Sequence, residues 1–246
     1  MNPSITHQRL FSTDGSEYSN GPHKIISFPL KPLFENLKSV SFSMNRFFRI
    51  LGSCNNGTFQ DSLKPTKASE FNLERDYTIF GSCNGLLCLF DRYDGCVRLW
   101  NPSIRLKSKK SPTLDYCEYN KCWIACRGFG YDHVNDKYKV LIGLCRYIQG
   151  SGYRKYGAKI YTFGEDSLKT IPNFPFPDIA WDGKFVSGTL NWIMLKRGVS
   201  SNQNVIISFN LEKETCKEVL LPEHDAINVR YPTLCVSTNR LYVCFN

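Results

Sequence analysis

Basic and aromatic residues alternate with glycine between positions 146 and 157, in the stretch RYIQGSGYRKYG. Tyrosine rings stack on bases or fill pockets of a partner protein, while arginine and lysine neutralise phosphates or carboxylates. The pattern predicts an exposed loop that is either merely solvated or used in recognition. Within recognition, a protein partner is favoured over nucleic acid. We assign partner binding to six residues: Arg146, Tyr147, Tyr153, Arg154, Lys155 and Tyr156.

Catalytic chemistry has no recognisable set of residues in this sequence. The four histidines lie outside any catalytic motif, and neither a G-x-S-x-G elbow nor a G-x-x-x-x-G-K-[ST] phosphate loop occurs. Cys117, Cys122 and Cys126 precede His133 with the spacing C-x4-C-x3-C-x6-H, which is looser than that of most zinc sites. We therefore predict no enzyme activity, no metal and no cofactor.

The positive charge of the chain is concentrated in its middle third. The net charge is +9, and residues 90–160 contain 14 Lys and Arg against 6 Asp and Glu. Such a region attracts an acidic partner or a phosphate backbone. No apolar run is long enough for a membrane span and no secretory signal opens the chain. Together with the odd count of 11 cysteines, this predicts reduced thiols in the cytoplasm or nucleus.

A turn pattern recurs about every fifty residues and predicts the strands that carry these side chains. Turn-forming residues recur at Gly85, Asp136, Gly188 and Asn239, separated by 51, 52 and 51 positions. Each is followed by apolar residues two and four positions later, the pattern of a half-buried strand that leaves a tight turn. The repeat therefore predicts strand pairs at regular intervals along the chain.

A second element recurs between these turns. It consists of an apolar strand with an aromatic residue at its end, a polar turn, and a strand that closes on proline. The aromatic positions are Trp100, Phe163 and Phe209, and the prolines that mark strand ends or edges are Pro112, Pro172 and Pro222. We assign five residues to the core: Leu87, Trp100, Leu190, Trp192 and Phe209.

Four short strands per unit of about fifty residues are typical of kelch-class propeller blades. We predict an all-β fold, either a kelch-like β-propeller or a propeller-like array of antiparallel sheets, incomplete in this chain. The first 80 residues contain no clear copy of the repeat. Two strands are expected there, one at residues 24–28 and one within residues 39–51.

Several stretches resemble, in order, the signatures of the plant F-box-associated domain found in F-box/kelch-type proteins, which include the S-locus F-box proteins. They are GSCNGLLCL from Gly81, LWNPSIR from Leu99, GFGYDHVNDKYKVL from Gly128, FVSGTLNWI from Phe185 and IISFNLEKETCKEVLLP from Ile206. Because several motifs agree in order over nearly the whole chain, the resemblance is far more specific than any one of them.

The resemblance implies a protein-binding, substrate-recognition domain of an SCF-type ubiquitin ligase. The partners implied are a target protein and a Skp-type adaptor with its cullin, and the basic middle third of the chain favours an acidic target. The adaptor and the cullin would be bound only through an F-box, which these 246 residues do not contain. We interpret residues 1–22 as the segment after the F-box and residues 23–246 as the propeller-like domain, truncated at its C-terminus. The alternatives are a nucleic-acid-binding or a glycan-binding β-propeller protein.

Overall fold

The structure, a computed structural model, describes residues 9–14, 24–29, 69–72, 77–114, 122–148, 150, 153–176, 181–197, 202–221, 232–237 and 239–244. Every regular element in these ranges is a β-strand, so the all-β prediction is confirmed. Within the same ranges, no helix could cross a membrane. The chain divides into two compact units, residues 1–77 and 78–246.

The first unit contains one sheet with the order β1-β2-β3. Its strands are β1 (Arg9–Asp14), β2 (Lys24–Pro29) and β3 (Ser69–Asn72). Both neighbouring pairs are antiparallel. The strand expected at residues 24–28 is confirmed as β2, whereas the strand expected within residues 39–51 lies outside the described residues.

The second unit repeats one sheet plan, in which strands pair with their neighbours in chain order, except at one edge of its second sheet. Sheet I contains β4 (Tyr77–Cys83), β5 (Leu86–Asp91), β6 (Cys96–Asn101) and β7 (Leu106–Lys107). Sheet II contains β8 (Cys122–Asp132), β9 (Lys137–Tyr147), β10 (Arg154–Thr162), β11 (Leu168–Ile171) and β12 (Trp181–Asp182). At its edge, β12 pairs in parallel with β8. Sheet III contains β13 (Lys184–Val186), β14 (Thr189–Arg197), β15 (Asn202–Asn210) and β16 (Thr215–Leu220). Sheet IV contains β17 (Thr233–Ser237) and β18 (Arg240–Cys244).

The predicted fifty-residue period has a backbone cause. The four repeat positions all have positive φ: 78° at Gly85, 52° at Asp136, 79° at Gly188 and 59° at Asn239. Each residue closes the turn between the first two strands of its sheet. Gly, Asn and Asp tolerate this left-handed conformation better than other residues. The period is therefore a period of tight turns, one for each sheet.

The predicted core is also confirmed. All five assigned residues are buried: Leu87, Trp100, Leu190, Trp192 and Phe209. The recurring aromatic lies near the end of the third strand in sheets I and III and directly after it in sheet II, and all three copies are buried. Pro172 directly follows β11, as predicted, whereas Pro112 lies five residues beyond the end of β7 and does not mark a strand end. Pro222 lies outside the described residues.

Sheet II packs between sheets I and III. On one face Phe129 joins a cluster with Phe80 and Phe90 of sheet I. On the other face, where β8 carries glycine, sheet III approaches so closely that a Cβ atom on Gly130 would lie 2.2 Å from the Phe185 ring. The GFG stretch thus provides a core side chain on one face and room for the neighbouring sheet on the other. This is the stacked array of sheets that the repeat predicted.

Candidate partner-binding site

The turn between β9 and β10 brings the six predicted site residues together at one end of sheet II. Three pairs of opposing positions form the ladder there: Tyr147 with Arg154, Arg146 with Lys155, and Cys145 with Tyr156. The backbone N–H of Ile148 donates a hydrogen bond to the carbonyl oxygen of Tyr153 at 3.0 Å and closes the ladder. We call this region the hairpin end: Arg146, Tyr147, Ile148, Tyr153, Arg154, Lys155 and Tyr156.

Side-chain alternation along the strands divides the hairpin end into two faces. Tyr147, Arg154 and Tyr156 share the face whose inner part packs against sheet III. Arg146 and Lys155 share the opposite face, whose inner part packs against sheet I. The six residues lie close together, but five of them are on strands β9 and β10 and not in the predicted loop, and the sequence did not predict the division into two faces.

The face toward sheet III carries an aromatic cluster around one cation. The Cζ atom of Arg154 lies 5.5 Å from the centre of the Trp123 ring and 5.2 Å from that of Tyr147. The two rings are themselves 5.1 Å apart, and Nη2 of Arg154 donates a hydrogen bond to the Tyr147 hydroxyl at 2.9 Å. The hydrogen bonds to Tyr147, and secondly to Tyr156, raise the pKa of Arg154. This guanidinium is held in place by its own chain.

Tyr156 is held in a similar way. Its ring stacks on Phe176 with 5.1 Å between the ring centres. It also forms a hydrogen bond with Cys145, which opposes the rise that burial causes in the pKa of that thiol. Tyr147, Arg154 and Tyr156 are therefore engaged in contacts within the domain. These contacts fix the shape of the hairpin end.

The face toward sheet I has a different character. Arg146 and Lys155 lie directly opposite each other on neighbouring strands, and both are exposed. Like charges in such a pair are destabilising, so an acidic group placed between them relieves the repulsion. At the tip, Tyr153 is 74% exposed and Ile148 is 45% exposed. Two cations beside two exposed apolar side chains form a surface suited to an acidic protein segment.

Two members of this region were missed from the sequence. Trp123 lies on β8, and its contact with Arg154 depends on strand pairing across sheet II. Ile148 lies within the stretch from which the six were chosen, but it has neither a charge nor an aromatic ring to draw attention to it. The signal that was available for Trp123 was its position within an apolar strand close to two predicted site strands.

The opposite end of sheet II contains a buried charge network. The Nζ atom of Lys139 lies 3.0 Å from Oδ2 of Asp132 and 3.2 Å from Oε1 of Glu214, and donates a hydrogen bond to the Leu211 carbonyl oxygen at 2.7 Å. Burial alone would raise the pKa of Asp132, but hydrogen bonds from Asn135 and Lys139 lower it to about 2. Burial would lower the pKa of Lys139, and its two carboxylate partners raise it instead.

A cleft of about 530 Å³ lies beside this network. Its walls carry charged side chains of both signs, including Lys137, Lys169 and Glu212. Lys169 is already paired with Glu214. A ligand pocket is normally lined by apolar side chains with a few polar groups. We therefore interpret this cleft as the solvated edge of a structural ion-pair network.

The predicted absence of a zinc site concerned Cys117, Cys122, Cys126 and His133. Cys117 lies outside the described residues. Cys122 belongs to the core cluster shared with sheet I, and Cys126 belongs to the cluster shared with sheet III. The two thiols therefore lie in separate parts of the core, so this spacing does not bring them together as ligands of one ion.

Asp91, Asp94 and Cys96 form a group whose ligand atoms lie within 4.8 Å of one another. These groups already have partners in the fold. Oδ1 of Asp91 accepts hydrogen bonds from the backbone N–H groups of Tyr93 at 3.0 Å and Asp94 at 3.1 Å. The Asp94 carboxylate forms an ion pair with Lys110. The group is thus explained by the turn that it closes.

Comparison with known proteins identifies the fold. Residues 35–246 match the family model described as the F-box associated beta propeller domain. The chain belongs to this family. Sheets I to IV, and with them the hairpin end, lie within the matched residues of the F-box associated domain.

Two relatives from Arabidopsis thaliana are named as F-box proteins. An F-box/kelch-repeat protein is 32% identical over 139 residues, which cover 55% of this chain and 36% of that protein. An F-box protein is 30% identical over 143 residues, which cover 54% of this chain and 35% of that protein. The matched regions thus span about a third of the length of these relatives. The family resemblance inferred from the sequence motifs is confirmed.

Proposed function

We propose that this F-box associated domain is the target-binding part of an F-box subunit in an SCF-type ubiquitin ligase. The observation that carries the proposal is the hairpin end, an exposed basic and aromatic surface on a rigid sheet, in a family whose relatives are F-box proteins. Exposed loops on rigid scaffolds are where recognition usually lies. The domain has no chemistry of its own in this role.

In this proposal the two faces of the hairpin end have different roles. Trp123, Tyr147 and Arg154 hold the strands in one shape, which lowers the entropy cost of binding. Arg146 and Lys155 attract an acidic segment of the target, and Tyr153 fills an apolar recess on it. An F-box docks on a Skp-type adaptor and thereby on the cullin, which places the bound target beside the ubiquitin-charged enzyme. The site of action is the cytoplasm or the nucleus.

The test is a quantitative capture experiment in plant extract with three forms of the immobilised chain. The first is the wild type, the second carries Arg146→Glu and Lys155→Glu, and the third carries Lys107→Glu and Lys109→Glu. The third is a matched control, because it makes the same charge change at the strand β7 region of sheet I, outside the hairpin end. Proteins that bind the target site are retained by the first and third forms and lost from the second.

A captured protein is then tested as a substrate. The domain is fused behind an F-box and assembled with adaptor, cullin and ring-finger subunits, and ubiquitin transfer to the candidate is followed with and without the hairpin substitutions. Equal capture by all three forms overturns the assignment of the hairpin end. Retention of RNA or DNA that falls steeply with salt would favour the nucleic-acid alternative. The glycan alternative requires tryptophan exposed on a concave face, whereas Trp100 and Trp192 are buried. Trp123 is half-buried, with Arg154 over its ring.

A further inference from the structure

Two cysteines approach each other in sheet IV. Cys235 lies on β17 and Cys244 on β18, where Cys235 opposes Tyr242 and Cys244 opposes Thr233. The two cysteines are thus diagonal neighbours across the pair of strands. Their Sγ atoms are 3.0 Å apart, and both side chains are half-buried. Of the nine cysteines in the described residues, only one other, Cys216, is as accessible, and the remaining six are buried.

We propose that Cys235 and Cys244 are a thiol modification site, at which a peroxide converts them into a reversible disulfide. A disulfide bond is about 2.05 Å long, so the two sulfur atoms need to move together by only about 1 Å. The strand register already brings them side by side on one face of the hairpin. Disulfides of intracellular mesophile proteins are usually transient and redox-responsive, which suits a pair of this kind.

The reaction balances with hydrogen peroxide as the oxidant. The thiolate of one cysteine attacks a peroxide oxygen, an S–O bond forms as the O–O bond breaks, and the departing hydroxide takes a proton to become water. The second sulfur then attacks the sulfenic sulfur, the S–S bond forms, the S–O bond breaks, and a second water leaves. Two thiols lose two electrons in total, and the peroxide gains them.

The two sulfur atoms are close enough for either thiol to react first. Burial, and secondly the hydrogen bond to Cys244, raise the pKa of the Cys235 thiol to about 12. Whichever thiol the peroxide oxidises, the other sulfur lies beside it and is placed to resolve the sulfenic group.

The disulfide would act on the smallest sheet of the second unit. Sheet IV has two strands in the described residues, and a two-stranded pair is only marginally stable without further contacts. Its strand β17 contacts β13 and β14 of sheet III. A covalent link between β17 and β18 keeps the pair closed when these contacts loosen. Oxidation would thus stabilise this part of the domain without touching the hairpin end.

The sequence provides a direct assay. Trypsin cleaves after Arg240, which lies between the two cysteines, so the reduced chain yields separate peptides of residues 231–240 and 241–246. The full chain is treated with hydrogen peroxide, its remaining thiols are alkylated, and the digest is analysed by mass spectrometry without reduction. We expect the two peptides joined, with the loss of two hydrogens, and separated again by dithiothreitol.

Matched variants make the result decisive. Cys216→Ser removes the other accessible thiol and should leave the linked product unchanged, whereas Cys235→Ser and Cys244→Ser should each abolish it. In native chain, proteolysis near residue 240 should slow by at least about tenfold on oxidation, because the link restrains opening of the hairpin. Oxidation of Cys216 without linkage of the pair overturns the proposal, as does an equal yield of linked product in urea-unfolded chain. Neither outcome depends on the proposed target-binding function.

Discussion

The two ends of the strand pair β9 and β10 place their positive charges in opposite environments. At one end the Lys139 ammonium is buried, and it is within 3.2 Å of two carboxylates. At the other end the Arg154 guanidinium lies against two aromatic rings, and the exposed Arg146 and Lys155 face each other. The same pair of strands therefore holds one buried cation paired with two carboxylates and, at its other end, a group of cations exposed to water.

Solvent explains the difference. A buried charge is tolerated only when it is paired and hydrogen-bonded, so the carboxylates around Lys139 are required for folding. Exposed cations carry no such requirement, because water screens them. The comparison assigns stability to the Lys139 end and recognition to the hairpin end, and each assignment is open to test.

The largest effect is expected from Lys139→Met. This change leaves the carboxylates of Asp132 and Glu214 without their shared cation in a buried position. The free energy of unfolding should fall by about 3 kcal/mol, the scale for breaking a buried pair. Urea denaturation followed by tryptophan fluorescence measures it.

Arg154→Met is the matched control at the hairpin end, because it also removes one cation. Its guanidinium is exposed, so the free energy of unfolding should change far less than in Lys139→Met. Equal losses of stability in the two variants would contradict the comparison. A loss of stability in Arg154→Met alone would show that the hairpin end, and not the Lys139 end, supports the fold.

A second effect concerns two glycines of the same sheet. Gly130 lies opposite Lys139, and a Cβ atom there would lie 2.2 Å from the Phe185 ring and 2.9 Å from Cδ1 of Leu211. Gly130→Ala should lower the free energy of unfolding by about 2 kcal/mol through overpacking. Gly157 lies opposite Leu144 near the hairpin end, and a Cβ atom added there would have no heavy atom within 4 Å. Gly157→Ala should be neutral or slightly stabilising, and thermal unfolding of both variants tests the pair.

A third effect is a pH dependence that originates at the Lys139 end. The pKa of Asp132 is lowered to about 2 in the folded chain, against an ordinary value of 3.8. A lowered folded-state pKa gives stability that is fully present above about pH 4 and is lost as the pH falls toward 2. Glu214, whose pKa is also lowered, acts in the same direction. Unfolding free energies measured between pH 5 and pH 2 should fall less steeply in Lys139→Met than in the wild type, and Lys155→Met should keep the wild-type slope.

The repeat was predictable from sequence because its causes are local. A left-handed turn residue and the apolar positions two and four residues later lie within a few positions of each other, so the four turns at Gly85, Asp136, Gly188 and Asn239 could be found by counting. The buried aromatic near the end of each third strand was found in the same way. The grouping of the six site residues followed because one hairpin contains them all.

The remaining features depend on contacts between distant parts of the chain. The carbonyl that accepts from Lys139 is 72 residues away, and Trp123 reaches Arg154 only through the pairing of three strands. The addition of β12 as a parallel neighbour of β8 has no local signal either. The two faces of the hairpin end become visible only once the strand register is known. A single sequence therefore predicted that the six residues lie near one another but not which of them contact distant parts of the domain.

The smallest change in stability, and the sharpest test of the comparison, is expected from Lys155→Glu. Lys155 lies opposite Arg146, so the substitution replaces a repulsive cross-strand pair with an attractive one and should raise the free energy of unfolding by a few tenths of a kcal/mol. The same substitution places a negative charge where the acidic target should bind, so capture of the target should weaken by at least about tenfold at low salt.

Lys109→Glu makes the same charge change outside the hairpin end and should leave capture unchanged. Stability and binding that move in opposite directions indicate a residue kept for recognition, whereas a loss of stability above about 1 kcal/mol would show that Lys155 supports the fold and that the two ends of the sheet do not differ as proposed.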